Sequence, residues 1–330
     1  MNRLFFFRRV LVALGSVLTL FALLSGPATA ETAFPSRPIR LIVPFPAGGA
    51  TDVLARLIGN EMSKLLGQPV IVDNKGGAAG AIGTDAAAKA APDGHTICFC
   101  TTGPQVVLPY LTKLPFDPVK DLVPVVHVHN VPLVLLARSN LPANDMKELL
   151  ALAKSQPGKL SYGTPGQGGP HHLAAELLML RTGVSLIHVP YKGENPAFTD
   201  LIGGQIDVLF GSIALAEPLL KAGKIKALAV TGSSRSPALP SVPTVAESVP
   251  GFTAYTFVGL NVPAGTPKAV VQKLNQVANQ VLADPAVREK MLAQVVEPVG
   301  GTPEAYAAFL RDESQKWGEV VRKANVSLRE

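Results

Sequence analysis

Three glycine-rich stretches carry the chemistry that this sequence offers. Residues 46–51, 74–80 and 164–172 each follow a short apolar run, and each leads into a segment with apolar residues at helical spacing. Glycine lets the backbone come close to a ligand. The first turn of a helix leaves N–H groups without partners and carries a partial positive charge. Together, three such loops can hold a carboxylate through main-chain donors, without an arginine. The plainer alternative is that they are only tight turns. In open α/β sheets, ligands lie beyond the carboxyl ends of the strands, which is where these loops fall.

Several side chains stand beside those loops. Thr101 and Thr102 end an apolar run before Gly103 and offer hydroxyls to a ligand. His172 opens a helix, where it either donates to a bound anion or packs as part of the cap. Asp207 lies in an expected strand, 206–210. It either accepts from a ligand hydroxyl or amine, or fixes a neighbouring loop. Tyr191 and Lys192 follow another expected strand, and Lys192 either attracts anions or is simply solvated. Tyr255 and Phe257 form an apolar wall of the site or belong to the core. His127 and His129 are spaced to share one face of a strand. Without a third ligand in register they read as ordinary strand residues, not a metal site. There is no phosphate-binding loop ending in Gly-Lys-Ser/Thr, no complete Gly-x-Gly-x-x-Gly and no Gly-x-Ser-x-Gly. No catalytic residue, metal or cofactor is expected.

The elements that would position these groups alternate. With apolar runs at 39–43, 70–72 and 96–100, the pattern reads as strand, loop, helix three times over, which argues for a parallel sheet with covering helices. Residues 122–138 form a long apolar stretch broken by Pro124 and Pro132, read as a crossover. A second α/β run follows, with strands at 160–162, 186–189, 206–210 and 225–230. Residues 231–250 read mainly as loop, and helices close the chain at 267–282, 285–294 and 303–325. The expectation is an α/β fold in which one domain is inserted into another. The first lobe comprises 31–125 and 226–330, and the inserted lobe 126–225.

The chain has 330 residues and a formal charge of +6. Residues 1–30 read as a secretory signal: Arg3, Arg8 and Arg9, then an apolar run over 10–24, then Ala28-Thr29-Ala30. Cleavage after Ala30 leaves 300 residues, removes those three arginines and lowers the charge to +3. No run of Lys and Arg interleaved with aromatics occurs, so no nucleic-acid partner is expected. The two cysteines, Cys98 and Cys100, lie two apart in an apolar strand. They are expected to be small buried apolar residues, not a bridge, because i and i+2 in a strand stand near the upper Cα distance for a disulfide.

Longer motifs carry a resemblance. Residues 38–52 (Pro-Ile-Arg-Leu-Ile-Val-Pro-Phe-Pro-Ala-Gly-Gly-Ala-Thr-Asp) resemble the opening of the Bug family, the substrate-binding subunits of tripartite tricarboxylate transporters. Residues 72–83, 91–94, 188–193, 204–207 and 262–267 resemble its later motifs, in the same order. The resemblance covers nearly the whole chain after the signal. It implies a two-lobed periplasmic-binding-protein fold of type II with the ligand cleft between the lobes. It also implies capture of a small carboxylate by backbone N–H groups and ordered water. Carried over by position, the contacts are Phe45, Ala47, Gly48, Gly49, Asn74 and Ala78 in the first lobe. In the second they are Thr164, Gly166, Gly168, Gly169, His172 and Asp207. The chain departs from the family pattern at Gly76, Ala79, Gly169 and Phe257. The implied partners are a small carboxylate solute and the membrane permease subunits, with a monomeric, periplasmic receptor between them. Two other functions compete with this one: an enzyme on a similar scaffold, and a sensory binding protein that presents its ligand to a receptor.

Overall fold

The computed structural model describes residues 34–327, so the expected signal segment and its cleavage site lie outside the described residues. From Arg37 onward the chain forms one compact unit, which is described here by itself. Its elements follow in the order β1 (Ile39–Val43), α1 (Ala50–Leu66), β2 (Val70–Asn74), α2 (Ala81–Ala88), β3 (Thr96–Thr101), α3 (Leu108–Leu111) and β4 (Leu122–Arg138). The middle of the chain supplies α4 (Met146–Ser155), β5 (Ser161–Thr164), α5 (Pro170–Thr182), β6 (Ile187–Pro190), α6 (Glu194–Gly203), β7 (Val208–Ser212), α7 (Ile213–Lys221) and β8 (Ile225–Val230). The last part contains β9 (Tyr255–Pro263), α8 (Lys268–Ala283), α9 (Pro285–Leu292), β10 (Glu297–Gly300) and α10 (Pro303–Lys323).

Helix α1 shows why the sequence folds locally as it does. Leu54, Ile58, Met62 and Leu66 recur on one face and are buried, each contributing about 1.5–3 kcal/mol by leaving water. Gly67 ends the helix in the left-handed conformation, its N–H bonded to Ser63 O. The same ending recurs at Gly183 after α5.

β4 is the axis of the sheet. The expected crossover is one 17-residue strand. Its first part pairs antiparallel with β9 and β10, and its second part with β7 and β8. β1, β2 and β3 are parallel to one another and join through β9, while β5, β6 and β7 form a second parallel set. β9 and β10 had no counterpart in the sequence reading. β10 alternates weakly, and β9 is apolar on both faces.

The registers fix where the strand ends meet. Thr101, the last residue of β3, pairs with Val258, which pairs with His129 of β4. Ser212, the last residue of β7, pairs with Leu133 of β4. The carboxyl ends of both parallel sets therefore converge on the middle of β4, around residues 129–133. That is the position where an α/β sheet binds its ligand.

Two expectations about side chains are corrected by the strands. Cys98 and Cys100 form a disulfide. Their Cα atoms are 5.1 Å apart, well under the roughly 6.6–6.8 Å of an ideal strand, so the local pleat brings them within bridging range. His127 and His129 do not share a face. The register shifts between them, so they pair with the successive residues Gly259 and Val258, which belong to opposite faces of β9. His127 packs among Phe257, Tyr306 and Phe309, whereas His129 lies against Phe99. Burial lowers the His129 pKa to about 3 and that of His127 to about 4, so both are neutral packing groups. Among the described residues, no group of three His, Cys, Asp or Glu is placed to hold a metal ion, and no helix is long and apolar enough to cross a membrane.

Candidate ligand-binding site

The loop after β1 is held open by a carboxylate. Asp52, in the first turn of α1, accepts from the Gly48 N–H at 2.9 Å and from Arg56 Nε at 3.0 Å. Asn74, at the end of β2, donates to Asp52 Oδ1 and to Phe45 O, both at 3.0 Å, and accepts from Arg56 at 3.2 Å. The Arg56 hydrogen bond, followed by that from Gly48, holds the Asp52 pKa down at about 2. All polar atoms of the Asn74 amide are therefore engaged inside the loop. Through these bonds Asn74 positions the loop that carries Phe45, Ala47, Gly48 and Gly49. Residues 46–50 themselves are exposed. A Cβ built on Gly48 would meet nothing within 4 Å, and one on Gly49 only Pro46 O at 3.7 Å. The first intrahelical bond is Val53 N–H to Gly49 O, so the earlier N–H groups of α1 have no partner one turn back.

The loop after β2 is unusual. Gly77, Ala78, Ala79 and Gly80 all have positive φ, at 122°, 47°, 52° and 94°. Two consecutive alanines in left-handed conformation are strained, at about 1–2 kcal/mol each. Ala79 is one of the positions where the chain departs from the family pattern, and its geometry is one that glycine adopts freely. Ala78 is exposed beside the first loop. At the end of β3, Thr102 is buried. Its Oγ1 accepts from Phe257 N–H at 2.7 Å and donates to Phe257 O, which pins β3 to β9. It clamps the two strands together. The Thr101 hydroxyl is buried and has no partner.

The loop after β5 is braced by an imidazole. His172 Nδ1 accepts from the Gly168 N–H at 3.0 Å, and its Nε2 lies 3.3 Å from Glu176 Oε1. The ring is only 4% exposed and stacks on His188 at 4.0 Å. Through the bond that its Nδ1 accepts, His172 braces the loop from inside. Thr164 is likewise enclosed: its hydroxyl donates to Gly166 O and meets His188 Nε2 at 2.7 Å. Burial, and then the neighbouring His172, lower the His188 pKa to about 4. Burial alone would raise the pKa of Glu176, but hydrogen bonds from His172 and Tyr162 outweigh it and hold the carboxylate ionised. The Tyr191 hydroxyl donates to Asp200 at 2.7 Å, and its N–H donates to Thr164 O. Tyr191 thus fixes the loop, while Lys192 is exposed. Gly166 and Gly169 have nothing within 4 Å of a built Cβ and remain open.

Asp207 does not reach this place. β7 begins at Val208, two residues later than the expected strand, and Asp207 precedes it. The Asp207 carboxylate pairs with Arg138 Nε at 2.9 Å and accepts from Ser161 N–H at 2.8 Å. Arg138 is five residues beyond Leu133 along β4, or about 16 Å at strand rise. Asp207 ties the opposite end of the sheet.

Three residues bridge the second set of loops and were not assigned together from the sequence. Glu194, at the start of α6, accepts from the Ser212 hydroxyl at 2.6 Å, and its other oxygen lies 2.8 Å from His171 Nε2. They join the starts of α5 and α6 to the end of β7. No spacing in the sequence announces this bridge, since 41 residues separate its ends.

The chain is similar to known proteins in sequence and fold. A profile described as the tripartite tricarboxylate transporter family receptor matches residues 54–326. The protein BugT of Bordetella pertussis is 38% identical over 309 residues, 93% of this chain and 94% of its own. A structure of an R. palustris protein with adipate, Rpa4515, is 34% identical with a TM-score of 0.72, covering 89% of this chain and 100% of that one. A TctC solute-binding protein from Polaromonas with no ligand is 33% identical with a TM-score of 0.80, covering 88% and 99%.

Proposed function

Because the chain belongs to the tripartite tricarboxylate transporter receptor family, we propose that it is a periplasmic solute-binding protein that captures a small carboxylate. The observation that carries this reading is that two glycine loops, each preceding a helix N-terminus, follow the carboxyl ends of β1 and β5, in the two parallel sets whose β3 and β7 ends register with the middle of β4. Helix N-termini favour anions, and glycines without side chains let the main-chain donors reach one. The groups assigned to the ligand are Phe45, Ala47, Gly48, Gly49, Ala78 and Thr101 from one side, and Gly166, Gly168 and Gly169 from the other. Asn74, Thr102, Thr164, His172 and Tyr191 hold those loops in place.

The lobes in this reading are 31–125 with 226–330, and 126–225, joined where β4 passes from one half-sheet to the other. A ligand that touches both sets of loops has more contacts when they approach, and that difference shifts the population towards a closed form. The closed monomer would then present the solute to membrane permease subunits after export and removal of residues 1–30. The role is that of a receptor without turnover.

The test uses protein shown to be ligand-free by native mass spectrometry. Adipate and malate are titrated calorimetrically, with scattering before and after. One-site binding and a smaller radius of gyration are expected. At 100 times the dissociation constant, binding adds about 2.7 kcal/mol, or roughly 4–6 °C in Tm. No heat, no Tm shift and no compaction across a wider carboxylate panel would overturn the reading.

A further inference from the structure

A cavity of about 470 Å³ lies along the last helix, outside the glycine loops, and Gln105 on its wall donates back to Thr101 O at 3.4 Å. Its apolar walls include Leu122 and Pro124 from the start of β4, Val119 before it, and Leu310 of α10. Pro124 is six residues from Asn130, so the cavity stands about 20 Å along β4 from the point where the strand ends converge. Its size falls within the roughly 300–1,000 Å³ of small-molecule sites.

The polar groups at its edge are not arranged as a solvated surface. The Tyr110 ring sits on Gly318, where a Cβ would come within 2.6 Å of it, and its hydroxyl meets Ser314 Oγ at 2.8 Å. The Arg322 guanidinium lies 5.8 Å from the centre of the same ring, closing that end. Elsewhere on α10 the cations are paired: Lys316 with Glu313, and Lys323 with Glu319. Arg311 and Arg322, which line the cavity, have no ion pair among the described residues, and Arg311 has no hydrogen-bond partner either. Val119 is 75% exposed at the mouth.

We propose that this cavity is a second binding site, and that it takes an organic monocarboxylate with an extended apolar body. The apolar body lies against Val119, Leu122, Pro124 and Leu310, and the carboxylate meets Arg311. A guanidinium recognises a carboxylate through two parallel hydrogen bonds. The Arg322–Tyr110 pair adds a positive field at the closed end. A short dicarboxylate fits poorly, because its second charge would be set against the apolar wall and desolvated without a partner. The two sites therefore take different acids, and this inference stands whether or not the glycine loops bind a solute.

Decanoate is the probe, titrated calorimetrically into the intact folded protein. Saturable one-to-one binding is expected, with adipate unable to compete. Arg311→Glu and Val119→Glu should each weaken decanoate at least tenfold. Both residues are exposed, so an unchanged thermal midpoint will confirm that the variants fold. Gly49→Asp, which blocks the glycine loops, should leave decanoate affinity unchanged. The proposal is overturned by non-saturable binding, by affinity unchanged in both cavity variants, by competition from adipate, or by loss of decanoate binding in Gly49→Asp.

Discussion

The loops that follow β1 and β5 are built on one plan and braced by opposite chemistry. In each, a glycine with positive φ (Gly48 at 82°, Gly168 at 75°) precedes an extended glycine that caps a helix. In each, that first glycine donates its N–H to the side chain four residues on, in the first turn of the helix. The acceptor is Asp52 in one case and His172 in the other. Asp52 is an ionised carboxylate tied to Arg56 and Asn74. His172 is an imidazole stacked on His188 and backed by Glu176. A glycine loop before a helix needs one main-chain donor fixed from inside, so that the others stay aimed outward. The physics asks for an acceptor at that position and does not specify which residue supplies it.

The largest expected effect tests whether the two loops share one anion. Gly49→Asp and Gly169→Asp each place a negative charge where Cβ has open space. At about 4 Å and an intermediate dielectric, like charges repel by several kcal/mol. Each variant should therefore lose roughly a hundredfold or more in carboxylate affinity while keeping its melting midpoint. If only one does, the calorimetric titration assigns the anion to that loop alone.

A smaller effect separates the two braces. Asp52→Ala strands the Gly48 N–H, Asn74 and Arg56 together. His172→Ala strands the Gly168 N–H and removes a ring stack. Denaturant titrations should show a loss of about 2–3 kcal/mol for the first and about 1–2 kcal/mol for the second. The Asp52 brace also has a pH signature. Its pKa is depressed in the folded state, so its contribution is complete above the ordinary carboxylate range, near 4, and is lost as pH falls towards about 2. Asp52→Asn should flatten the acid limb of the stability curve. An unchanged limb would show that the carboxylate does not brace the loop.

The smallest effect concerns the loop that follows neither plan. Ala79→Gly relieves a left-handed alanine at φ 52°, although glycine also adds freedom to the unfolded chain. A net gain of up to about 1 kcal/mol is expected from thermal unfolding. A loss would mean that the alanine methyl packs productively.

Much of the site was legible because its signals are local. Gly48-Gly49 and Gly168-Gly169 stand directly before helices whose periodicity is plain, and every helix expected from spacing is present within a few residues. β9 was missed because a strand apolar on both faces lacks alternation. Asp207 stands at the amino end of the strand with either boundary, and its pairing with Arg138 could not be read from the strand's extent alone.

By itself, the sequence determined the order of strand, loop and helix, the positions that must be glycine, and the family these motifs belong to. Only the tertiary structure decided which polar atoms are left for a ligand. Thr102 is clamped by Phe257, 155 residues away, and Asp207 is paired with Arg138, 69 residues away. The bond between Cys98 and Cys100 likewise depends on the local pleat of a strand held between two neighbours. A residue's type fixes what it can donate or accept. Whether that capacity is already used depends on partners that folding brings from elsewhere in the chain.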